Sequence, residues 1–379
     1  MREVCVLGVG MSRFGKFPEK DLLELAVPAV WEAIKDSGVP AKKIQVAYCG
    51  NVMGKHCLGQ RILVELGLTG IEIVNVENAC SSGSTAFRGV WALIASGAYD
   101  IGLAFGAEQM SQKVEGAIQL DQEDLETGQG LIMPTLYAMK ANRHMQRFGT
   151  TREQLALVSV KNHAHSCHNP RSQYQKTFTL EQVLHSAMIA DPLTLYQCCP
   201  TGDGASAAIL CAKDVAACYQ SKPITIAASV LLSGRTNMEP SEMASSELTR
   251  RASQAAYDMA GIGPQDLDLL EVHDAFTIGE ILHYENLGLC PPGEGGRLVE
   301  SQQTWIGGRI PVNPSGGLLS KGHPLGATGI AQIAEIVWQL RGEAGGRQVE
   351  NAKVGLAHCM GGGVGGVDGA ACAIHILKR

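Results

Sequence analysis

The amino-acid sequence predicts an α/β protein built from two duplicated halves, the first of which carries an inserted loop region. Three observations lead there. Short β-branched runs alternate with segments of helical period, the pattern of a parallel or mixed sheet with helical crossovers. The alternation is interrupted once, over residues 110–200, where Gln/Asp/Glu-rich turns and proline and glycine stops take over, as in a cap or binding region. It then resumes in a parallel order: Val312-Asn313, a Gly/Ser turn, a helix and a strand follow one another as they do from Val74-Asn75 onward. A duplication of roughly 160 to 180 residues is too long for a solenoid repeat and suits two fused copies of one domain. The expected division is 1–109 with 201–220, an inserted cap over 110–200, and 221–379.

Residues 3–9 (EVCVLGV) read as the first strand. Residues 21–36 read as an amphipathic helix with Leu22, Leu25, Ala29 and Ala33 on one face, and Pro28 is a candidate kink. A strand at 44–49, a helix near 58–67, a strand at 71–76, a helix from Cys80 to about Ser96 and a strand at 100–106 lead into the insertion. Helical pieces are expected there at 135–147 and 152–168. Beyond it come strands near 205–211 and 223–231, a helix at 248–260, a strand at 267–272 and a helix at 276–287. A helix from about Gly322 to Arg341 and a strand at 352–358 follow. Each half closes with a small-residue turn and a strand, GDGASAAILCA (202–212) and GVDGAACAIHI (366–376).

Of the 379 residues 45% are hydrophobic and 18% charged, which suits one large unit or two fused domains with a substantial core. The formal net charge of −6 and scattered Lys/Arg argue against a nucleic-acid surface. Twelve cysteines without a secretory leader pattern point to reduced thiols in the cytoplasm rather than a disulfide framework. No apolar run approaches the roughly eighteen residues that span a bilayer. The C-terminus shows neither a prenylation box nor a peroxisomal tripeptide. A soluble protein acting on a small molecule or another protein is expected.

The chemistry-bearing positions fall where strands give way to helices. Cys80 lies at a helix start behind the strand ending at Val76, and Ser81, Ser82, Gly83 and Ser84 leave room for a carbonyl to approach the sulfur. The positive end of a helix favours the thiolate, so the Cys80 pKa is expected below the free value of about 8.5. His323, one residue before Pro324, sits at the matching helix start of the second half. The helix dipole is expected to keep this imidazole neutral, as a base toward a thiol must be. His273, in Glu271-Val-His273-Asp-Ala-Phe276, is placed to donate to a carbonyl oxygen that gains charge. Cys359, in HCMGGG, is a second strand-end cysteine that can move a proton, with the Gly361 amide as an oxyanion donor. Each residue has a structural alternative: a buried thiol, a capping or satisfied histidine, a small residue beside a turn.

Two other patterns lead nowhere. Gly361, Gly363 and Gly366 formally match G-x-G-x-x-G, but a strand follows where a dinucleotide site needs a helix. His163, His165, Cys167 and His168 have metal-like spacing, but residues two apart on a helix diverge by roughly 200°. Cys198-Cys199 is poorly suited to hold one ion. No metal and no permanently bound cofactor are expected.

The four motifs, in this order and in these halves, resemble the thiolase superfamily, and more narrowly the sterol-carrier-protein-type and archaeal-type thiolases that carry His-Asp-x-Phe. Gly106-Ala-Glu-Gln-Met-Ser111, Lys161-Asn-His163, Asn169-Pro170 and Pro200-Thr-Gly-Asp-Gly-Ala205 extend the resemblance along the whole chain. It implies a five-layer αβαβα fold. It also implies Cys80 as the acyl-accepting nucleophile, His323 as its base and Cys359 as the residue that moves the α-proton. One oxyanion hole would come from His273 with His323 and a second from the amides of Cys80 and Gly361. Ser320 and Gly322 are implied to touch the substrate, and Ser320-Lys321 departs from the small apolar residues found there in many thiolases. The implied activity is ping-pong acyl transfer from a 3-oxoacyl-CoA to coenzyme A as co-substrate, or the reverse Claisen condensation.

The resemblance extends to thiolase subunits that act with a small zinc-ribbon/OB-fold protein on aromatic or branched acyl-CoAs such as benzoylsuccinyl-CoA. A ketosynthase-like or aldolase-like enzyme and a non-catalytic scaffold subunit are the alternatives. A decarboxylating ketosynthase has no need of Cys359, and a retro-aldolase none of Cys80. A homodimer is expected to cover the apolar Cys80 helix and the strand at 100–106, read as an open edge.

Overall fold

A computed structural model describes residues 1–118, 125–219, 221–235, 242–364 and 369–379. The strands are β1 (Val4–Met11), β2 (Val46–Gly50), β3 (Glu72–Val76), β4 (Ile101–Gln109), β5 (Met188–Ala190), β6 (Leu193–Thr194), β7 (Asp203–Ala212), β8 (Ile224–Leu232), β9 (Leu269–Glu271), β10 (Val354–Gly361) and β11 (Ala371–Lys378). The helices of the first half and insertion are α1 (Leu22–Ser37), α2 (Leu58–Val64), α3 (Ser82–Ala95), α4 (Leu125–Gly128), α5 (Met133–Phe148), α6 (Arg152–Ser166), α7 (Leu180–Leu184) and α8 (Lys213–Ala216). Those of the second half are α9 (Glu247–Ala260), α10 (Thr277–Asn286), α11 (Gly295–Glu300) and α12 (Leu325–Arg341). Gly366 of the rejected glycine pattern lies outside the described residues, as does the start of the strand expected at 366–376.

The main sheet runs β3-β2-β4-β7-β1-β8-β11-β10-β9. It is two sheets joined at a corner: β1 and β8 meet only through Cys5↔Thr225 and Val6↔Ile224. Each half has the same strand order. In the first, β1, β7, β4, β2 and β3 lie side by side. In the second, β8, β11, β10 and β9 do, and the fifth strand shrinks to a single bridge of Val312 on Leu270. The duplication read from the motif order is therefore present in the hydrogen bonding.

Alternate residues of each strand face different layers, as the period of two requires. Cys5, Leu7, Phe105 and Ile209 join α1 and α2 in an outer core. Val4, Val6, Ala104 and Leu210 face inward to α3 and α12, which also receive Ile226, Leu269 and Ala357 from the second sheet. Ala228, Leu270, Leu356 and Ile374 face out to α9 and α10. This is an αβαβα stack with α3 and α12 as its central layer. The outer helices begin and end on local signals. In α1, Glu24 N–H donates to Asp21 Oδ1 (2.9 Å) and Asp21 N–H to Glu24 Oε2 (2.8 Å), and Gly38 closes the helix at φ +67°. The helix runs on through Pro28.

One expectation fails. The strand at 100–106 is not an edge: β4 lies between β2 and β7 and is buried along its whole length. The chain covers this strand itself, so its apolar character gives no argument for a partner. The open edge of the first sheet is β3, which among the described residues pairs only with β2.

The central layer is held at glycines. A Cβ on Gly106 would fall 1.9 Å from Gly326 O, one on Gly83 2.6 Å from the same oxygen, and one on Gly326 2.6 Å from Gly50 O. The starts of α3 and α12 thus touch backbone to backbone, and β2 and β4 press on α12. Glu108 at the end of β4 adds a polar tie: its buried carboxylate accepts Val52 N–H (2.9 Å), Met53 N–H (2.9 Å) and Gly326 N–H (3.2 Å). Because the opposing atoms are backbone, Gly106→Ala should cost on the order of 3 kcal/mol, at the upper end for overpacking. Urea denaturation measures this; a change below about 0.5 kcal/mol would show that α12 is free to shift.

Candidate active site

Two strand-to-helix turns, the segment leading into α12 and one strand end converge at the mouth of the central layer. In the first, β3 ends at Val76 and the chain reverses through Asn78 and Ala79, the latter at φ +47°. Ser81 N–H donates to Asn78 O (2.9 Å), Ser82 N–H to Ala79 O (3.0 Å), and Asn78 N–H to Ser82 Oγ (2.9 Å). This compact turn leaves Cys80 just ahead of α3, at the helix start the sequence implied. The sulfur faces its own amide and that of Gly362. Its protonation is the reverse of the expectation. Burial pushes the Cys80 thiol up to about 12, outweighing those amides, and Glu108 and Glu77 add to the rise. Removal of the thiol from water dominates the helix-end field.

His323 precedes α12, with Gly322 at φ +110° behind it and Pro324 at the N-cap. Thr328 Oγ1 donates its only hydrogen to Pro324 O (2.9 Å), so toward His323 Nδ1, 2.8 Å away, it accepts. That assigns the Nδ1–H tautomer and leaves the Nε2 lone pair bare; Nε2 is buried with no protein partner. Burial holds His323 well below 6.5, with His273 and the Lys321 ammonium adding to it. The imidazole is neutral as expected, chiefly through desolvation.

His273 lies between β9 and α10, its ring edge-on to His323 with centroids 5.1 Å apart. Ligand atoms of Cys80, His273 and His323 all lie within 4.8 Å of one another. Cys359 lies inside β10 rather than beyond it. Its Sγ is 3.1 Å from Cys80 O, to which it donates, and 3.6 Å from His273 Nδ1. Burial raises the Cys359 thiol well above 9 and lowers His273 to about 4, so both are uncharged. Gly361 presses on the Cys80 turn: a Cβ there would lie 2.0 Å from Asn78 O. These residues face or adjoin a cavity of about 2010 Å³ whose wall includes Met133, Tyr137, Phe276 and Met360.

Ser320 and Gly322 are placed differently from the expectation: neither lines the cavity. Ser320 is fully buried, its hydroxyl engaged by Ser166 Oγ (2.6 Å) and His163 Nδ1 (2.9 Å). His163 and Leu319 form the wall in front of it. His163 is thus structural to the pocket, while His165 turns away to Asn313 O (3.0 Å) and Ile306 N–H (3.1 Å).

The thiolase N-terminal domain matches residues 4–214 and the thiolase C-terminal domain-like family residues 232–376. The chain belongs to the thiolase family. The acetyl-CoA acetyltransferase of Methanothermobacter thermautotrophicus is 45% identical over 389 residues, 100% of both chains. Benzoylsuccinyl-CoA thiolase subunit BbsB of Thauera aromatica is 40% identical over 368 residues, 96% of this chain and 95% of that one. The solved Ltp2-ChsH2(DUF35) aldolase superposes with a TM-score of 0.87 at 24% identity, over 100% of this chain and 98% of that one.

Behind the site of this thiolase lie polar residues whose mutual contacts the motifs did not reveal. Asp274 accepts Leu318 N–H (2.7 Å), Leu319 N–H (3.3 Å) and Asn162 Nδ2–H (2.7 Å), tying the turn before His323 to the one bearing His273. Asn162 and Asn313 both donate to Glu280 (2.7 Å each), and Lys161 pairs with it at 2.8 Å. Lys321, the departure noted in the sequence, is buried against Glu271 at 3.2 Å. His358 Nδ1 takes the His273 N–H at 3.5 Å and packs on His283, ring centroids 4.2 Å apart. Lys161, Asn162, Glu271, Asp274, Lys321 and His358 lie inside or beside motifs read from the sequence, but their pairings join segments far apart in the chain; for Glu280 the one signal was a polar residue inside a largely apolar helix.

Seven histidines (His163, His165, His273, His283, His323, His358 and His375) have pKa values lowered by burial. Below about 6.5 the unfolded chain binds protons that the folded one refuses, so stability falls as pH drops from 6.5 toward 4. Each such histidine contributes up to about 1.4 kcal/mol per pH unit. The urea midpoint should drop steeply between pH 6.5 and 5; a flat profile would mean that these rings become charged in the fold.

Proposed function

We propose that this thiolase carries out coenzyme A-dependent acyl transfer on a 3-oxoacyl-CoA through a thioester on Cys80. The supporting observation is the bare, neutral His323 Nε2 beside a protonated Cys80, with the Cys359 thiol on the other side of His273. In cleavage, His323 Nε2 takes the Cys80 proton as the sulfur attacks the 3-oxo carbonyl. The Cys80 and Gly361 amides stabilise the oxyanion. The α–β bond then breaks, leaving the acyl group on Cys80 and an enolate whose oxygen faces His273 and the protonated His323. Cys359 gives its proton to the α-carbon, and acyl-CoA departs. A second coenzyme A thiol passes its proton to Cys359 and attacks the thioester. Cys80 leaves and recovers its proton from His323. Condensation follows the same path reversed. The high thiol pKa of Cys80 makes simultaneous proton removal necessary.

Tyr137 stacks on Phe276 at 4.4 Å in the cavity wall, beside methionines that adapt to varied shapes. With the likeness to the benzoylsuccinyl-CoA enzyme subunit, this supports an aromatic or branched acyl group. The same relative is itself a subunit, and the solved fold neighbour pairs two chains, which supports a small zinc-ribbon/OB-fold partner for this one. The open β3 edge supports a homodimer. Twelve cysteines, none in a disulfide among the described residues, support a reducing cytoplasm, and no described helix is long and apolar enough to cross a membrane. The proposed division is two thiolase halves, 1–109 with 201–220 and 221–379, and a cap at 110–200.

Cys80→Ser should fold normally and lose acyl-enzyme formation on the order of 10³-fold or more, because a hydroxyl is far less ionised than a thiol. Mass spectrometry after incubation with acyl-CoA reads this directly; acyl label on another residue would reassign the nucleophile.

Cys359→Ala should spare the acyl-enzyme burst more than the carbon–carbon step, which falls by on the order of 10²-fold or more, since acylation by an acyl-CoA moves no α-proton and coenzyme A can leave as its thiolate without the Cys359 proton. Equal losses in both steps would make Cys359 a structural support of Cys80.

A further inference from the structure

We propose that Cys80, His273 and His323 form a binding site for a thiophilic divalent cation of the zinc type, which closes the nucleophile when it binds. The three ligand atoms lie within 4.8 Å of one another, each from a different segment ahead of a helix. Tetrahedral zinc with one sulfur and two nitrogens places its ligands about 3.3–3.6 Å apart, given Zn–S near 2.3 Å and Zn–N near 2.0–2.1 Å. Side-chain rotations that bring the atoms up to about 1.5 Å closer suffice.

The donors are prepared for a metal. His323 Nε2 is buried without a protein partner, and its other nitrogen is fixed by Thr328 Oγ1 at 2.8 Å, the outer-shell contact that orients metal-bound imidazoles. One thiolate with two imidazoles selects zinc over magnesium or calcium, which take oxygen ligands. The fourth position opens to the cavity, free for water or the sulfur of coenzyme A. Binding exchanges the Cys80 proton for the cation, the proton leaving to solvent, and no electron moves. Glu108 supplies negative charge near the sulfur, while the Lys321 ammonium, held by Glu271, opposes the cation.

The metal site stands on this geometry alone; the loss of activity it brings rests on Cys80 as the nucleophile. The first test is optical and independent of thiolase chemistry. Cobalt(II) added to the full-length protein should produce a near-ultraviolet thiolate-to-cobalt band with visible bands of four-coordinate cobalt. Cys80→Ala should abolish the near-ultraviolet band, and Thr328→Val should keep it with affinity weakened about 10-fold or more. The second test uses unmodified protein: micromolar zinc should slow iodoacetamide labelling of Cys80 at least about 10-fold, with EDTA restoring it. Absence of the band, its survival in Cys80→Ala, or labelling indifferent to zinc would each overturn the site. A metal-protected Cys80 in a protein that forms no acyl-enzyme would leave the site standing and refute the thiolase reading instead.

Discussion

Everything at the active site depends on how closely two helix starts approach in the central layer. Gly83 of α3, Gly326 of α12, Gly106 of β4 and Gly50 of β2 meet with no room for a single added carbon. Glu108 bonds across the same junction, from the first half to the first turn of α12. Cys80 and His323 are the residues just ahead of these two helices, so fixing the helices fixes the sulfur and the imidazole. A looser junction would preserve both sheets and still separate the reacting groups.

That close packing sets the electrostatics. A helix start by itself favours a thiolate, and this field acts on Cys80 together with two amides. Enclosure by protein takes away far more, because the charged sulfur loses the water that would solvate it. The same enclosure keeps His273 and His323 uncharged. The resting site is therefore a set of neutral donors and acceptors; under the proposed mechanism charge appears only as bonds rearrange, where oriented amides and imidazoles stabilise it most.

Behind Cys80 and the two imidazoles the fold buries two Lys–Glu pairs: Lys161 with Glu280, and Lys321 with Glu271. Such pairs contribute little net stability, because desolvation offsets their attraction. Their value here is positional. Asp274, Asn162 and Asn313 join them into one network that ties the turn of His273 to the segment leading into His323. Polar contacts of fixed length define such a position more narrowly than apolar packing does.

The sequence by itself determined the alternation of strands and helices, the duplication, the family, and the group Cys80, His273, His323 and Cys359. Those features are local: period, turn residues and capping signals lie within a few positions of each other, and each motif is contiguous. It also located the starts of the helices it named to within a residue or two, except α12, which begins at Leu325 rather than near Gly322. Tertiary structure decided what depends on neighbours remote in the chain. It placed β4 between β2 and β7, where the sequence suggested an edge. It set Ser320 behind the cavity wall, held by His163 and Ser166. It gave Cys80 a raised pKa where the helix start alone implied a lowered one, since burial is a sum over the whole fold. And it assembled the layer of Asp274, Glu280, Lys161 and His358, whose members share no spacing because the chain brings them together only when both halves close on the central pair of helices.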